Sequence, residues 1–312
     1  MARRQRRRRN PVHNPKLAEG ELPSLTQLEQ FSEVSLRQWR NSAKNLTELQ
    51  TALFFGLELE RQRHSQALVE AIRENLKQGQ PFDRWARIVD YRYSLAPLSV
   101  AGSVKGNGGR FNMGAALNPA AFPPFPALYI AENYQTAFRE RFASDPTSGA
   151  HGLSADEIAL RSPGSFAHVV LRGQLELVLD VREIQPLQQM AAVLGRFAMP
   201  DRVRRLARQL NMRSPPTLVR SASALQRQLL HRDWRTLPMQ FDLPSNSQIF
   251  GRIAAAAGAH AILYASARHE GNACLALFPQ NWSGSGSFVE VMDGTPSQAR
   301  LTRIDGDSRQ LQ

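Results

Sequence analysis

The hydrophobic pattern between residues 24 and 77 is helical. Apolar residues, together with one histidine, recur there at spacings of three, four or seven with Glu and Arg between them: Leu46, Leu49, Leu53, Leu57, His64, Leu68, Ile72 and Leu76. The pattern predicts two helices with a break near Lys44-Asn45, and Gly79-Gln80-Pro81 ends the second helix. The apolar face of this extension has to pack either on the rest of the chain or on a second copy of it.

From Trp85 onward the pattern changes to short runs of β-type residues separated by Gly and Pro. These runs predict strands at Ile88–Tyr93, Ala127–Ile130, Ala167–Leu171, Leu175–Val181, Ala261–Tyr264 and Cys274–Phe278. Helical patterns lie between them, at Asn133–Arg141, Ile184–Phe197, Arg202–Leu210, Ser221–Leu230 and Ser247–Ala257. This alternation indicates an α+β domain with no internal repeat.

The formal charge of +12 is concentrated in two segments. Six arginines lie within residues 3–9, and nine more lie between Asp201 and Arg235 against two aspartates, while the remainder of the chain is close to neutral. A chain whose whole surface binds nucleic acid would spread its positive charge more widely. The tail is predicted to be a solvated arm, with non-specific nucleic-acid contact or an acidic partner as the alternatives.

The second basic segment has the pattern of an amphipathic helix, with Val203, Leu206 and Leu210 on one side. We interpret its arginines first as a solvated face. Two alternatives remain open: the segment covers a site, or it meets an acidic partner.

Several classes of protein are disfavoured by what the sequence lacks. No run approaches the roughly 18 apolar residues of a membrane span, and the N-terminal arginines are not followed by the apolar stretch of a signal peptide, so we expect a cytoplasmic protein without membrane contact. The single Cys274 excludes an internal disulfide and a cysteine-based zinc site. There is no phosphate loop, dinucleotide fingerprint, G-x-S-x-G elbow or metal spacing of histidines, so we expect no metal and no bound cofactor.

Polar and aromatic residues of a chemically useful kind are concentrated between residues 91 and 140. Tyr129 and Glu140 are eleven positions apart, so that a strand ending near the tyrosine and a helix turning back bring both to one cleft. The stretch contains Tyr91-Arg92-Tyr93, Gly108-Gly109-Arg110-Phe111-Asn112, Pro126–Glu132 and Thr136–Glu140. A second set follows in the C-terminal half: Pro244–Gln248, Gly258–Arg268 and Asn272–Phe278.

Together and in this order, these motifs resemble the RES domain, a family named for an arginine, a glutamate and a serine. The resemblance covers Arg84 to Trp282 and leaves out the first eighty residues. The chain departs from the family at Phe111, where tyrosine or tryptophan is common, and in the longer stretches Met113–Phe125 and Pro186–Asp233. These departures concern the substrate entrance more than the core groups.

The resemblance implies an ADP-ribosyltransferase-like α+β fold with a mixed β-sheet core, extended by the N-terminal helices. It implies four segments: a basic tail (1–21), a helical extension (22–80), a RES catalytic domain (81–292) and a C-terminal tail (293–312). It also implies a toxin that consumes NAD as substrate, either as a glycohydrolase or as a phosphorylase, and that is neutralised by an Xre-like helix-turn-helix antitoxin.

Roles are carried over residue by residue. Arg92 and Arg110 would hold the anionic part of NAD, because a guanidinium fork matches phosphate oxygens. Tyr93 and Tyr129 would flank the nicotinamide and its ribose. We expect the catalytic residues to be Arg92, Tyr129 and Glu140, and the substrate-binding residues to be Arg110, Tyr93 and Ser266.

Glu140 would stabilise positive charge on the ribose, and Ser266 would orient the ribose or the pyrophosphate. One carboxylate suffices in principle, because nicotinamide already carries a positive charge in NAD and leaves as a neutral molecule, whereas ordinary glycosides need a second carboxyl group as acid. Of the neighbouring polar residues, Glu132 is predicted to be structural and Asn112 to shape the loop beside Arg110.

Each of these residues also has a purely structural interpretation. Considered without the resemblance, Arg92 would form an ion pair at the edge of a strand and Tyr129 would belong to the core. Glu140 would be a solvated helix residue and Ser266 a residue of a turn or strand. Two other functions stay open beside NAD degradation: ADP-ribosylation of a protein, and binding of nucleic acid or a partner by a chain with an inactive RES-like core. The sequence leaves open whether the chain forms a homo-oligomer.

Overall fold

The chain folds around one large mixed sheet, in a computed structural model that describes residues 33–142 and 165–308. Its strands are β1 (Gln80–Asp90), β2 (Gly108–Gly109), β3 (Asn112–Met113), β4 (Leu128–Ala131), β5 (Phe166–Leu175), β6 (Val178–Asp180), β7 (Ala261–Ala265), β8 (Ala273–Leu277), β9 (Phe288–Asp293) and β10 (Arg303–Asp305). Eight of them form a sheet of order β10-β9-β5-β1-β4-β8-β7-β6, and β2 and β3 form a separate ribbon. Neighbours in the sheet are antiparallel except for the parallel pair β6 and β7.

The helices of the described residues are α1 (Glu33–Arg63), α2 (Ser65–Arg73), α3 (Tyr134–Phe142), α4 (Gln188–Leu194), α5 (Asp201–Gln209), α6 (Ala222–Leu229), α7 (Thr236–Phe241) and α8 (Asn246–Ala256). The predicted α+β class, with a mixed sheet and N-terminal helices, is confirmed. None of these helices has the length and apolarity needed to cross a membrane. The predicted basic tail, residues 1–21, lies outside the described residues.

The central strands are buried on both faces, which explains why they read as continuous apolar runs. Alternate residues of a strand point to opposite faces. On β8, Cys274 belongs to the core cluster that also takes in apolar residues of α2, α4, α6 and α8. Its neighbour Leu275 belongs to a second cluster around Trp282, on the other face of the sheet. The site described below therefore rests on a sheet that is packed on both sides.

The helical extension packs on its own chain. The predicted break near Lys44-Asn45 is wrong: α1 is continuous from Glu33 to Arg63, because both residues tolerate a helix, and the break falls at His64. Helix α2 contributes Leu68 and Ile72 to the main core cluster. The extension is therefore part of the folded domain.

Helix α5 contains the amphipathic pattern predicted for the second basic segment. Its apolar residues Leu206 and Ala207 form a small core cluster with Leu49 of α1. On the outer side, Arg202 donates to Glu48 of α1 at 2.6 Å. This helix joins the extension to the main domain.

Strand β1 differs from the predicted strand at both ends. It begins at Gln80, eight residues before the predicted start at Ile88. It accommodates a bulge between Phe82 and Trp85, with Arg84 at φ 55°. It ends at Asp90, and Tyr91–Tyr93 form a short 3₁₀ turn. The prediction that Arg92 and Tyr93 lie on the strand is therefore wrong: they lie on the turn that follows it.

Other elements also begin or end at residues different from those predicted. The predicted strand Leu175–Val181 is reduced to β6, because β5 continues through Leu175. The predicted helix Ile184–Phe197 is reduced to α4, preceded by a 3₁₀ turn that begins beside Pro186. The segment 293–312, expected to be a tail, contains β10, in which Ile304 pairs with Val289 of β9 and is fully buried.

Candidate active site

A cleft of about 350 Å³ opens beside the central strands β1, β4 and β8. Helix α3, the loop that precedes β3, and two residues between α6 and α7 complete its lining. Five of the six residues predicted from the sequence line it: Arg92, Tyr93, Arg110, Tyr129 and Glu140. The sixth, Ser266, is 7% exposed and contacts Glu140.

The loop that carries Arg110, residues 106–113, is held from α8. Gln248, which is fully buried, donates its Nε2 to the main-chain oxygens of Asn107 (2.7 Å), Gly109 (3.1 Å) and Asn112 (3.0 Å). Its Oε1 accepts from the Ser245 amide at 3.0 Å, while the Ser245 hydroxyl accepts from the Gln248 amide. This capping box thus starts α8 and fixes the arginine-bearing loop with one side chain.

Asn112 fastens the same loop from inside, as the sequence predicted. Its Oδ1 accepts from the Gly109 amide at 2.9 Å and from the Tyr129 hydroxyl at 2.8 Å. Its Nδ2 donates to the main-chain oxygens of Ser103 at 2.8 Å and Phe125 at 3.0 Å. Because the side chain is fully buried and bonded in four directions, it shapes the loop and does not touch the cleft.

Two glycines allow the close packing of this loop. A Cβ on Gly109 would lie 2.5 Å from the Tyr129 ring, and a Cβ on Gly251 of α8 would lie 1.9 Å from the Phe111 main-chain oxygen. Neither approach leaves room for a side chain. Phe111 itself is buried and packs edge-on against Tyr264.

Arg110 is held from the opposite side by the segment that follows α6. Its side chain is only 5% exposed, and its Nη1 donates to the main-chain oxygens of Leu229 (3.1 Å) and His231 (2.9 Å). Its guanidinium carbon lies 5.9 Å from the ring centre of Trp234. The position of Arg110 therefore depends on contacts more than a hundred residues away along the chain.

Glu140, on α3, is positioned by two donors. Its Oε1 accepts from the Ser266 hydroxyl at 2.7 Å and from the Ala267 amide at 3.1 Å. The Ser266 oxygen in turn accepts from the amides of Arg268 and His269, so that the hydroxyl proton is directed to the carboxylate. Among the described residues, Oε2 of Glu140 has no hydrogen-bond partner, which leaves it able to face a substrate.

This placement differs from the role expected for Ser266. The sequence reasoning placed its hydroxyl on the ribose or the pyrophosphate, whereas the structure places it on Glu140. In this arrangement the serine holds the carboxylate.

Tyr129 presents its ring to the cleft and turns its hydroxyl inward. The hydroxyl donates to Asn112 and accepts from the Phe111 amide at 2.9 Å. Burial raises the pKa of Tyr129 well above that of an ordinary tyrosine, although the Phe111 amide and the nearby Arg110 act in the opposite direction. The phenol therefore stays protonated at neutral pH and does not serve as a base.

The turn after β1 carries an ion-paired cluster, made of Asp90, Arg92, Tyr93, Lys105 and Arg141. Asp90 accepts from Arg92 at 3.3 Å and, through its other oxygen, from Arg141. Lys105 donates to the Tyr93 hydroxyl at 3.0 Å, and this bond, outweighing the small burial effect, lowers the pKa of Tyr93. With its side chain 70% exposed, Arg92 lies over the Tyr93 ring.

One family model matches part of the chain. Residues 189–296, about a third of the chain, match the family model of the RES domain. The matched residues, which we call the RES segment, are similar to the RES domain. The match contains Ser266, whereas Arg92, Arg110, Tyr129 and Glu140 precede it. Arg110 reaches the matched residues through Leu229 and His231, and Glu140 reaches them through Ser266 and Ala267.

One solved structure is also similar to the chain. It is a chain of the crystal structure of the M. tuberculosis MbcT–MbcA toxin–antitoxin complex, with a TM-score of 0.40 and 13% sequence identity over 77% of this chain and 91% of that one. No curated protein sequence matches. A similarity this distant assigns no role to the chain.

The cleft beside the RES segment is strongly positive. Six basic residues line it against two acidic ones: Arg87, Arg92, Lys105, Arg110, Arg141 and Arg235, against Asp90 and Glu140. A cleft that is lined by side chains of one charge, within a low-dielectric protein, raises the local concentration of ions of the opposite charge. The cleft is suited to an anionic substrate.

Arg87 was missed by sequence reasoning. It donates to the main-chain oxygens of Pro97 (2.9 Å), Tyr129 (2.9 Å) and Ser99 (3.1 Å). Burial, together with the nearby Arg141, lowers its pKa to about 10, so it is still charged at neutral pH. A charged residue between Ala86 and Ile88 on an apolar strand was the available signal.

Trp234 and Arg235 were also missed, because they lie in an irregular stretch between α6 and α7. Both line the cleft. With Arg110 they form what we call the arginine–tryptophan cluster. The sequence offered only that this stretch is longer than usual for the family.

The remaining groups near Glu140 are not reactive. Burial raises the pKa of the Cys274 thiol, and the Glu140 charge raises it further, so the thiol is not a nucleophile at neutral pH. Glu132 accepts from the Ala273 amide at 2.8 Å, which agrees with its predicted structural role. Within residues 33–142 and 165–308, no group of three or more His, Cys, Asp or Glu is arranged to hold a metal.

Proposed function

We propose that this protein degrades NAD by breaking the bond between nicotinamide and ribose, as a glycohydrolase or phosphorylase. One observation carries the proposal: the Glu140 carboxylate, fixed by the Ser266 hydroxyl and the Ala267 amide, belongs to a cleft lined by six cations. The resemblance of the chain's motifs to the RES family supports the same reaction.

The charges fit the two ends of NAD. The diphosphate is anionic and matches the guanidinium groups of the cleft. The ribose carbon becomes positive as the glycosidic bond breaks, and a fixed carboxylate stabilises that charge without reorganising. In this arrangement Glu140 faces the reacting ribose through Oε2, and the arginines hold the diphosphate.

The chemistry balances without a general acid. The carbon–nitrogen bond of the nicotinamide riboside breaks, and its electron pair neutralises the pyridinium nitrogen, which leaves as nicotinamide. An acceptor oxygen then bonds to the ribose carbon: water, which loses one proton to solvent, or a phosphate oxygen. Because Tyr129 stays protonated and Cys274 stays a thiol, neither forms a covalent intermediate in this proposal.

We further propose that the enzyme acts as a toxin inside the cytoplasm and is restrained by an Xre-like antitoxin. The physical argument is that an unrestrained NAD consumer would harm the cell that makes it. An inhibitor that blocks a positive cleft would present acidic groups to it.

Expression in cells tests the proposal. Induced expression of the native protein should lower intracellular NAD before growth stops. Cells that express the Glu140→Gln variant should keep normal NAD and normal growth, because the amide cannot stabilise the developing positive charge. Arg205→Gln on the exposed side of α5 is the matched control and should behave as the native protein does. Growth arrest with unchanged NAD would contradict the proposed function.

A further inference from the structure

Two guanidinium groups of the cleft lie against one indole ring. The guanidinium carbon of Arg235 is 4.6 Å from the ring centre of Trp234, and that of Arg110 is 5.9 Å from it. Trp234 is 7% exposed, so the ring is a fixed element of the cleft. Cations are attracted to the faces of indole rings.

These two cations form no ion pair within the described part of the chain. No carboxylate there forms an ion pair with Arg110 or Arg235, and the bonds of Arg110 go to the neutral main-chain oxygens of Leu229 and His231. Partial burial lowers the pKa of Arg235, the positive charges of Arg110 and Arg268 lower it further, and the Glu140 carboxylate acts in the opposite direction. Arg110 is buried and Arg235 is exposed to solvent. Like charges held close together repel each other until an anion joins them.

The other cleft arginines are already satisfied. Arg92 and Arg141 share the Asp90 carboxylate, and Arg87 donates to three main-chain oxygens. Lys105 donates to the Tyr93 hydroxyl. Arg110 and Arg235 share one aromatic ring, and neither is paired with a carboxylate of the described residues.

We propose that Arg110, Trp234 and Arg235 form a subsite for the diphosphate of a nucleoside diphosphate group, with Arg235 as a specificity-determining residue. The two guanidinium forks each match a pair of phosphate oxygens, and the indole keeps their planes in place. This inference rests on the proposed function in placing the subsite within an NAD-binding cleft, although the subsite binds a diphosphate whatever the reaction.

The anchoring of Arg110 extends the inference to the segment 229–235. The same segment supplies the two main-chain oxygens that hold Arg110 and the side chains of Trp234 and Arg235. It lies within the RES segment, whereas Arg110 precedes it. The subsite therefore joins the two halves of the chain.

Calorimetric titration with ADP and with AMP tests the subsite on the full chain. The native protein should bind ADP more tightly than AMP. Arg235→Gln should weaken ADP binding about tenfold or more, since a charge-assisted hydrogen bond is lost, and AMP binding by a smaller factor. Arg205→Gln, which removes one positive charge from exposed α5, is the control and should leave both affinities unchanged.

A second variant and a second readout keep the test decisive. Arg235→Lys keeps the charge without the fork and should give an intermediate loss, and thermal melting checks that each variant folds. ADP binding by Arg235→Gln equal to that of the native protein, or no ADP binding by the native protein, would overturn the inference.

NAD turnover measured on the same samples separates this inference from the proposed function. If the protein turns over NAD but binds ADP equally well with and without the Arg235 side chain, the subsite is contradicted and the proposed function stands. If ADP binding depends on Arg235 but the protein does not turn over NAD, the subsite is supported and the proposed function is contradicted.

Discussion

The ion-paired cluster and the arginine–tryptophan cluster both supply positive charge to the cleft, but they differ in whether a carboxylate pairs with their arginines. In the first, Asp90 balances Arg92 and Arg141 at a site that is open to water. In the second, Arg110 is buried, and neither it nor Arg235 is paired with a carboxylate of the described residues. Exposed ion pairs are screened and contribute little, whereas partly buried charges act strongly on whatever enters.

The difference suggests a division of labour. The paired cations attract an anion and can exchange Asp90 for it at low cost. The unpaired cations discriminate, because only a ligand with enough negative charge relieves their repulsion. Helix α3 serves both sides of the cleft, since Arg141 reaches Asp90 while the adjacent Glu140 reaches Ser266.

Arg110→Gln should produce the largest change in this comparison. It removes an unpaired, buried cation, and we expect the KM for NAD to rise about 10- to 100-fold, the value of a hydrogen bond to a charged group. Steady-state kinetics measures it. Arg110→Lys separates charge from geometry, and an unchanged KM in a folded Arg110→Gln variant would show that the two clusters do not differ as described.

Ser266→Ala should give an intermediate effect, on turnover more than on binding. The carboxylate loses its 2.7 Å bond and keeps only the Ala267 amide, so we expect kcat to fall about tenfold while KM changes little. Ser266→Thr retains the hydroxyl and should recover part of the loss. A rise in KM at constant kcat would instead place the serine on the substrate.

Asp90→Asn should give the smallest effect, and in the opposite direction. Freed from their shared carboxylate, Arg92 and Arg141 become available to the substrate, and we expect KM to fall about two- to fivefold at low salt, with the gain disappearing at high salt. A KM that rises in this variant would mean that Asp90 positions the arginines rather than competing for them.

The sequence predicted the parts of the site that follow from local pattern. The β4 run around Tyr129 and the periodicity of α3 placed Tyr129 and Glu140 on a strand and a helix, and the RES resemblance joined them to Arg92, Arg110 and Ser266. The role of Asn112 followed because a buried amide beside glycines has to satisfy its own donors and acceptors.

The sequence did not predict the contacts that cross the chain. The bonds from Arg110 to Leu229 and His231 span about 120 positions and come from main-chain atoms, which have no sequence signature. Trp234 and Arg235 stand in an irregular stretch without periodicity. The bond from Ser266 to Glu140 depends on how β7 and α3 pack, which no local pattern encodes.

Product analysis of purified protein incubated with NAD, with and without phosphate, tests the central claim most directly. The account predicts that free nicotinamide appears in step with ADP-ribose, or with ADP-ribose-1″-phosphate when phosphate is the acceptor, and that Glu140→Gln abolishes the release while still binding ADP. Recovery of intact NAD from a folded protein that binds ADP would contradict the account, and ADP-ribose found only on a macromolecule would replace hydrolysis or phosphorolysis with transfer to a protein.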